Sequence, residues 1–117
     1  MKKIITAIGN EILNKKLKKE NDFEVIIEDI QYKEGIIEYL EKENNIDILI
    51  ISELLPGNIE LKELIEKIKN INSNIEIILF LENKNTELEN YLYAKGIYNI
   101  FYNNQIEIEE IIKIINN

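Results

Sequence analysis

Apolar residues along this chain alternate between short, nearly continuous runs and longer stretches with helical spacing. Residues 3–8 form the first run and predict a strand. Asn10 can cap the helix that follows, in which Ile12, Leu13 and Leu17 recur at helical spacing. Residues 23–30 predict a second strand, and the acidic Glu24, Glu28 and Asp29 within it imply partial exposure. Residues 35–44 predict a helix with Ile36, Ile37 and Leu40 on one face. Residues 46–51 are almost uninterrupted apolar sequence, the mark of a strand covered on both faces at the centre of a parallel sheet. Asn58 can cap a third helix whose inner face is Leu61, Leu64, Ile65 and Ile68, and residues 75–81 predict a fourth strand. Thr86 and Glu89 have the spacing of a capping box ahead of a helix carrying Leu88 and Leu92, which Gly96 can end. Residues 97–102 predict a fifth strand. Asn104 with Glu107 can open a last helix that turns Ile108, Ile111, Ile112 and Ile115 inward.

Strands and helices that alternate through short connections force parallel strands with crossover helices on both faces. The expected fold is therefore α/β: three layers around a doubly wound five-stranded parallel sheet, with the flavodoxin-like order 2-1-3-4-5. No linker or low-complexity segment divides the sequence. It reads as one domain over residues 1–117, either whole or cut from a longer protein.

Composition removes several chemistries. The chain has no His and no Cys, which excludes serine–histidine triads, histidine-based zinc sites, disulfides and thiolate chemistry. Net charge is −8, from 14 basic residues, all Lys, and 22 acidic ones. Such a balance repels phosphate backbones, so nucleic-acid binding is not expected. The cluster Lys15, Lys16, Lys18 and Lys19 is either the solvated face of an amphipathic helix or a contact patch for an acidic partner. No apolar run has the length needed to cross a bilayer, so a cytoplasmic domain without membrane insertion is expected.

The segment Asp47-Ile48-Leu49-Ile50-Ile51-Ser52-Glu53-Leu54-Leu55-Pro56-Gly57 joins a buried strand to a Pro-Gly turn. It resembles the third strand and following loop of two-component response-regulator receiver (CheY-like) domains, and the spacing from Gly96 to Asn104 resembles the same family. The resemblance implies the family's phosphoryl site at the carboxyl ends of the strands, and this chain departs from it at each aligned position. The phosphoacceptor aspartate falls on Ser52. The acidic pair that holds magnesium falls on Ile8 and Gly9, and a one-residue shift onto Asn10 and Glu11 restores only one carboxylate. The hydroxyl residue that reads the phosphoryl group falls on Leu81. The family's lysine near the end of the fifth strand falls on Asn103, and the proline that often follows it falls on Asn104. Magnesium needs several oxygen ligands, and phosphoryl transfer needs cations at the developing charge. The resemblance thus implies a pseudo-receiver with no catalytic residue, metal or cofactor, similar to the N-terminal domains of MinD/ParA-type pilus-assembly ATPases, whose first strand and third-strand loop are alike.

A strand-end serine such as Ser52 commonly bonds local backbone. Residues 6–11 lack the glycines and the Lys-Ser/Thr ending of a phosphate loop. The remaining candidate surface is aromatic: Tyr91, Tyr93, Tyr98 and Tyr102 lie in the fourth helix and fifth strand, the part of receivers that dimerises or meets effectors. Phe101, or else its strand neighbours Ile100 and Tyr102, is expected in the core, and Tyr93 and Tyr98 at the surface. The favoured function is protein–protein interaction, through a partner, an attached output domain or a homodimer. The alternative is a displaced metal or small-molecule site at the strand ends, using Glu53 and Glu82 with Asn10. A third reading is a structural domain that folds onto the rest of a longer chain.

Overall fold

A computed structural model describes residues 1–117, apart from the side chain of Asn104. The chain alternates β1 (Lys2–Ala7), α1 (Glu11–Lys18), β2 (Phe23–Ile27), α2 (Lys33–Lys42), β3 (Ile48–Ser52), α3 (Leu61–Ile71), β4 (Glu76–Leu81), α4 (Thr86–Ala94), β5 (Asn99–Tyr102) and α5 (Ile108–Asn116), with a 3-10 turn at Asn103–Gln105 before α5. The five strands form one sheet in the order β2-β1-β3-β4-β5, every neighbouring pair parallel.

Side chains alternate across each strand, so the sheet sorts its residues into two cores. Ile5, Ala7, Leu49, Ile51, Leu79 and Leu81 face α2, α3 and α4, which contribute Ile36, Leu40, Leu64, Ile65, Ile68, Leu88 and Leu92. Ile4, Ile48, Ile50, Ile78 and Phe80 face α1 and α5, which contribute Leu13, Leu17, Ile111 and Ile115. β3 is buried along its whole length because it has a strand on either side and helices on both faces. Truncation of a fully buried residue such as Leu64 to Ala is expected to cost about 2–5 kcal/mol.

Local signals account for most element ends. Asn10 caps α1, its Oδ1 accepting from the Leu13 amide at 3.0 Å. Gly96, at φ 80°, follows α4 in the left-handed region that ends helices. Five expectations are corrected. Residue 85, not the Thr86–Glu89 box, caps α4: Asn85 Oδ1 accepts from the Leu88 amide at 3.0 Å, and Glu89 instead pairs with Lys84 at 3.2 Å. Asn58 does not cap α3; its amide donates to Glu34 Oε2 at 2.9 Å, and the cap position falls on Glu60 without a side-chain bond. Ile12 does not join the inner face of α1 and is 71 % exposed, while Asn14 is buried in its place. β2 stops at Ile27, three residues short of the expected end. The last helix opens at Glu107, without a side-chain cap bond, and not at Asn104, whose backbone belongs to the preceding 3-10 turn.

Candidate functional site

In a doubly wound sheet the loops beyond the carboxyl ends of the strands form the natural ligand edge. Here they frame an open cleft of about 780 Å3, walled by the β1–α1 turn, residues 29–31 after β2, the β3–α3 loop and the turn after β5. Ile8, Gly9, Ser52 and Asn103 meet in this cleft. Leu81 does not. It is completely buried in the core shared with α2, α3 and α4, whereas its strand neighbour Phe80, the register partner of Ser52, faces α1 and α5. Alternation places adjacent strand residues on opposite faces, so Leu81 cannot share a site with Ser52 through its side chain.

Several polar side chains of the cleft are bonded to its own backbone. Gly9 has φ 63°, which is open to glycine and turns successive amides to the same side. The Ile8 amide donates to Asp29 Oδ1 and the Gly9 amide to Asp29 Oδ2, each at 2.8 Å. A carboxylate from the loop two residues beyond β2 thus fills the anion-binding turn after β1. The sequence marked Asp29 only as a sign of exposure. The readable signal was a carboxylate just beyond one edge strand, beside a strand followed by a glycine turn.

Ser52 is buried, and its Oγ accepts from the Leu54 amide at 3.1 Å, a local turn bond. Glu53 Oε1 accepts from the Glu82 amide at 3.0 Å and ties the end of β3 to that of β4. Among the described residues no three acidic, His or Cys side chains gather where they could hold a metal. A receiver-type magnesium does not fit these residues: Ile8 and Gly9 offer no carboxylate, and the nearby Asp29 is already held by two amides.

A second latch sits beside the cleft. The Lys33 amide donates to the Pro56 carbonyl at 2.8 Å, and Glu34 Oε2 accepts from the amides of Asn58 and Ile59 at 2.9 and 3.2 Å. Hydrogen bonding from its own backbone amide, then from Asn58 and Ile59, holds the Glu34 carboxyl below its ordinary range. Gly57 permits this approach; a Cβ there would lie 2.8 Å from both Lys33 Cβ and Glu34 Oε1.

The four tyrosines separate into two pairs. Tyr93 and Tyr98 are 45 % and 71 % exposed, and their rings stack 6.3 Å apart at 25°. Tyr91 is half-buried. Its hydroxyl donates to Glu66 Oε2 at 2.6 Å, and its ring lies under the ammonium groups of Lys62 and Lys95 at 5.0 and 5.7 Å. Burial first, and then the Glu66 carboxylate, push the Tyr91 phenol up to about 12. Lys95 also pairs with Glu66 at 2.6 Å, and bonds from Lys95 and Tyr91 hold the Glu66 carboxyl below its ordinary range. Tyr102 is half-buried against the α2–α4 core, with its hydroxyl buried and without a partner among the described residues. Tyr91 and Tyr102 therefore hold structure together, and only Tyr93 and Tyr98 remain as surface tyrosines of this face. Phe101, half-buried, meets Phe80 edge to face at 6.2 Å in the opposite core.

No family model and no characterised protein sequence matches the chain. Solved structures do. A DNA-binding response regulator of the LuxR family from Staphylococcus aureus superposes with a TM-score of 0.80 at 19 % identity, over 99 % of this chain and 97 % of that one. A response regulator receiver domain protein from Clostridium thermocellum gives 0.79 at 16 % identity, over 100 % and 93 %. The pilus assembly protein CpaE from Caulobacter crescentus gives 0.76 at 12 % identity, over 97 % and 90 %. The chain has the fold of CheY-like receiver domains.

Proposed function

We propose that this is a pseudo-receiver: a non-catalytic domain of receiver fold that acts by protein–protein contact, with the stacked Tyr93–Tyr98 pair at the centre of one contact face. The observation that carries the reading is that the key polar groups of the strand edge are already bonded within the chain. Asp29 occupies the amides after β1, Ser52 bonds its own turn, and Glu53 holds the Glu82 amide. A hydroxyl at Ser52 forms no acyl phosphate, and no lysine lines the cleft to meet the charge of a transferred phosphoryl group. Exposed tyrosines are low-entropy anchors for association, and two of them stacked in the open form a ready patch. Likeness to a pilus assembly protein fits a domain that pairs with, or positions, an output domain.

The displaced-cation alternative has less support, since one oxygen of Glu53 is already bonded to backbone. Two assays test the proposal. Incubation with acetyl phosphate and magnesium is expected to leave the intact mass of the protein unchanged. Tyr93→Ser with Tyr98→Ser is expected to abolish self-association in sedimentation velocity, or recovery of a partner, while the circular dichroism spectrum is retained. Stoichiometric phosphorylation, or association indifferent to both substitutions, would overturn it.

A further inference from the structure

Among the described residues, Ile12 and Leu54 are the exposed branched aliphatic side chains, at 71 % and 57 %. They come from different elements, the first turn of α1 and the loop after β3, and both line the strand-edge cleft. Scattered exposed aliphatics need no explanation, but two on separate walls of one cleft form a patch. Ile8, Leu55, Pro56 and Ile106 line the same cleft, so the lining is largely apolar.

The charges of the cleft have one sign. Glu11 and Asp29 line it and no lysine does, in a chain that carries −8 overall; Lys15 lines the adjoining hollow, where Glu11, Glu28 and Asp29 outnumber it. Glu53 and Glu82 stand at the same sheet edge. The amides that would greet an anion after β1 already hold Asp29. An anionic ligand meets carboxylates here, whereas an apolar group flanked by cations meets both the lining and the field. The volume, about 780 Å3, is that of a pocket able to take a large side chain and its neighbours.

We propose that this cleft is a second docking site, which receives an apolar side chain from a lysine- or arginine-bearing segment of a partner protein. The inference rests on the reading of the domain as an interaction module, but it uses a different surface from the tyrosine pair.

Amide NMR of the full chain tests it, with a designed amphipathic helical peptide as probe, leucine on one stripe and lysine elsewhere. The expected result is saturable shifts at Ile8, Gly9, Ile12, Leu54 and Leu55, weakened by added salt. A counter-peptide with glutamate in place of lysine is expected to bind at least about tenfold more weakly. Ile12→Ser with Leu54→Ser, both at exposed positions, is expected to reduce affinity for the lysine peptide by about tenfold or more. Unmoved cleft amides, equal binding of the glutamate peptide, or affinity unchanged in the double variant would each overturn the proposal. Shifts confined to Tyr93 and Tyr98 would also overturn it while leaving the interaction reading intact. Conversely, self-association that ignores the tyrosine variants does not alter the cleft result.

Discussion

Asp29→Ala removes a carboxylate that accepts from two successive backbone amides, both at 2.8 Å. Hydrogen bonds to charged groups contribute roughly 1.5–3 kcal/mol each when the donors lose access to water. The Gly9 amide is exposed and water replaces most of its bond; the Ile8 amide is partly buried and recovers less. The expected loss is about 2–3 kcal/mol, which for a domain of this size lowers Tm by about 8–12 °C. Asp29→Asn keeps one oxygen as a neutral acceptor and loses the second bond, so about half that cost is expected. Urea unfolding followed by circular dichroism reads both values, and the m-value is expected to stay constant because the same surface unfolds. Hydrogen exchange at Ile8 and Gly9 is expected to accelerate in the Ala variant more than at the centre of β3. A loss below about 0.5 kcal/mol, within the range of an ordinary surface substitution, would refute the role given to this carboxylate. Equal costs for Ala and Asn would refute the two-bond geometry.

Tyr91→Phe is expected to cost about 1–2 kcal/mol at neutral pH through loss of the bond to Glu66. The folded phenol titrates at about 12, above its ordinary 10, so its contribution is complete below pH 10 and is lost as pH rises through the folded value. Wild type and Phe variant should therefore converge in urea stability on the alkaline side, and a constant gap would contradict the assignment. Glu34 has its folded pKa below the ordinary 4.5, so its contribution is present above that value and is lost as pH falls through the folded one. The stability gap between wild type and Glu34→Gln is accordingly expected to close in acid, measured by unfolding across pH. Gly57→Ala, whose Cβ would press on Lys33 and Glu34 at 2.8 Å, is expected to destabilise by about 1–3 kcal/mol in thermal unfolding.

Much of the fold was legible because burial writes itself into hydrophobic periodicity. β3 read as a central strand since both its faces are covered, and the inner stripe of α3 at Leu64, Ile65 and Ile68 matched its buried residues. Caps were harder, because several polar residues in a row can each serve. At Asn85-Thr86 the earlier residue takes the Leu88 amide, which frees Glu89 to meet Lys84. Ile12 misled for a related reason: it sits one residue before Leu13, at the helix edge, and the face that buries also takes Asn14. The site was legible as a list of substitutions and illegible as a geometry. Ser52 and Leu81 look equivalent as strand-end positions, and only the pleat separates them onto opposite faces. The bonds from Ile8 and Gly9 to Asp29 span 21 and 20 residues, and no local pattern states where a loop carboxylate beyond a strand will aim.

That carboxylate also bears on how such a domain works. A phosphoryl-driven receiver is a switch because an external, removable anion biases one of two arrangements of its loops. In this chain the anion at the β1 turn is Asp29, part of the polypeptide, so its bias is present in every folded molecule. Ser52 with Leu54, Glu53 with Glu82, and Glu34 with Asn58 fix the adjoining loops in the same way. On the proposed reading the domain therefore has no phosphorylation cycle to report. Its contact faces are permanently displayed, and any regulation has to come from the supply of partners or from whatever competes for the cleft and the tyrosine pair. A ligand shifts an equilibrium only by its differential affinity for two states. With these loops held by internal bonds, binding at either proposed face is expected to proceed with little rearrangement of the strand ends, the behaviour that the proposed reading assigns to a fixed adaptor rather than a relay.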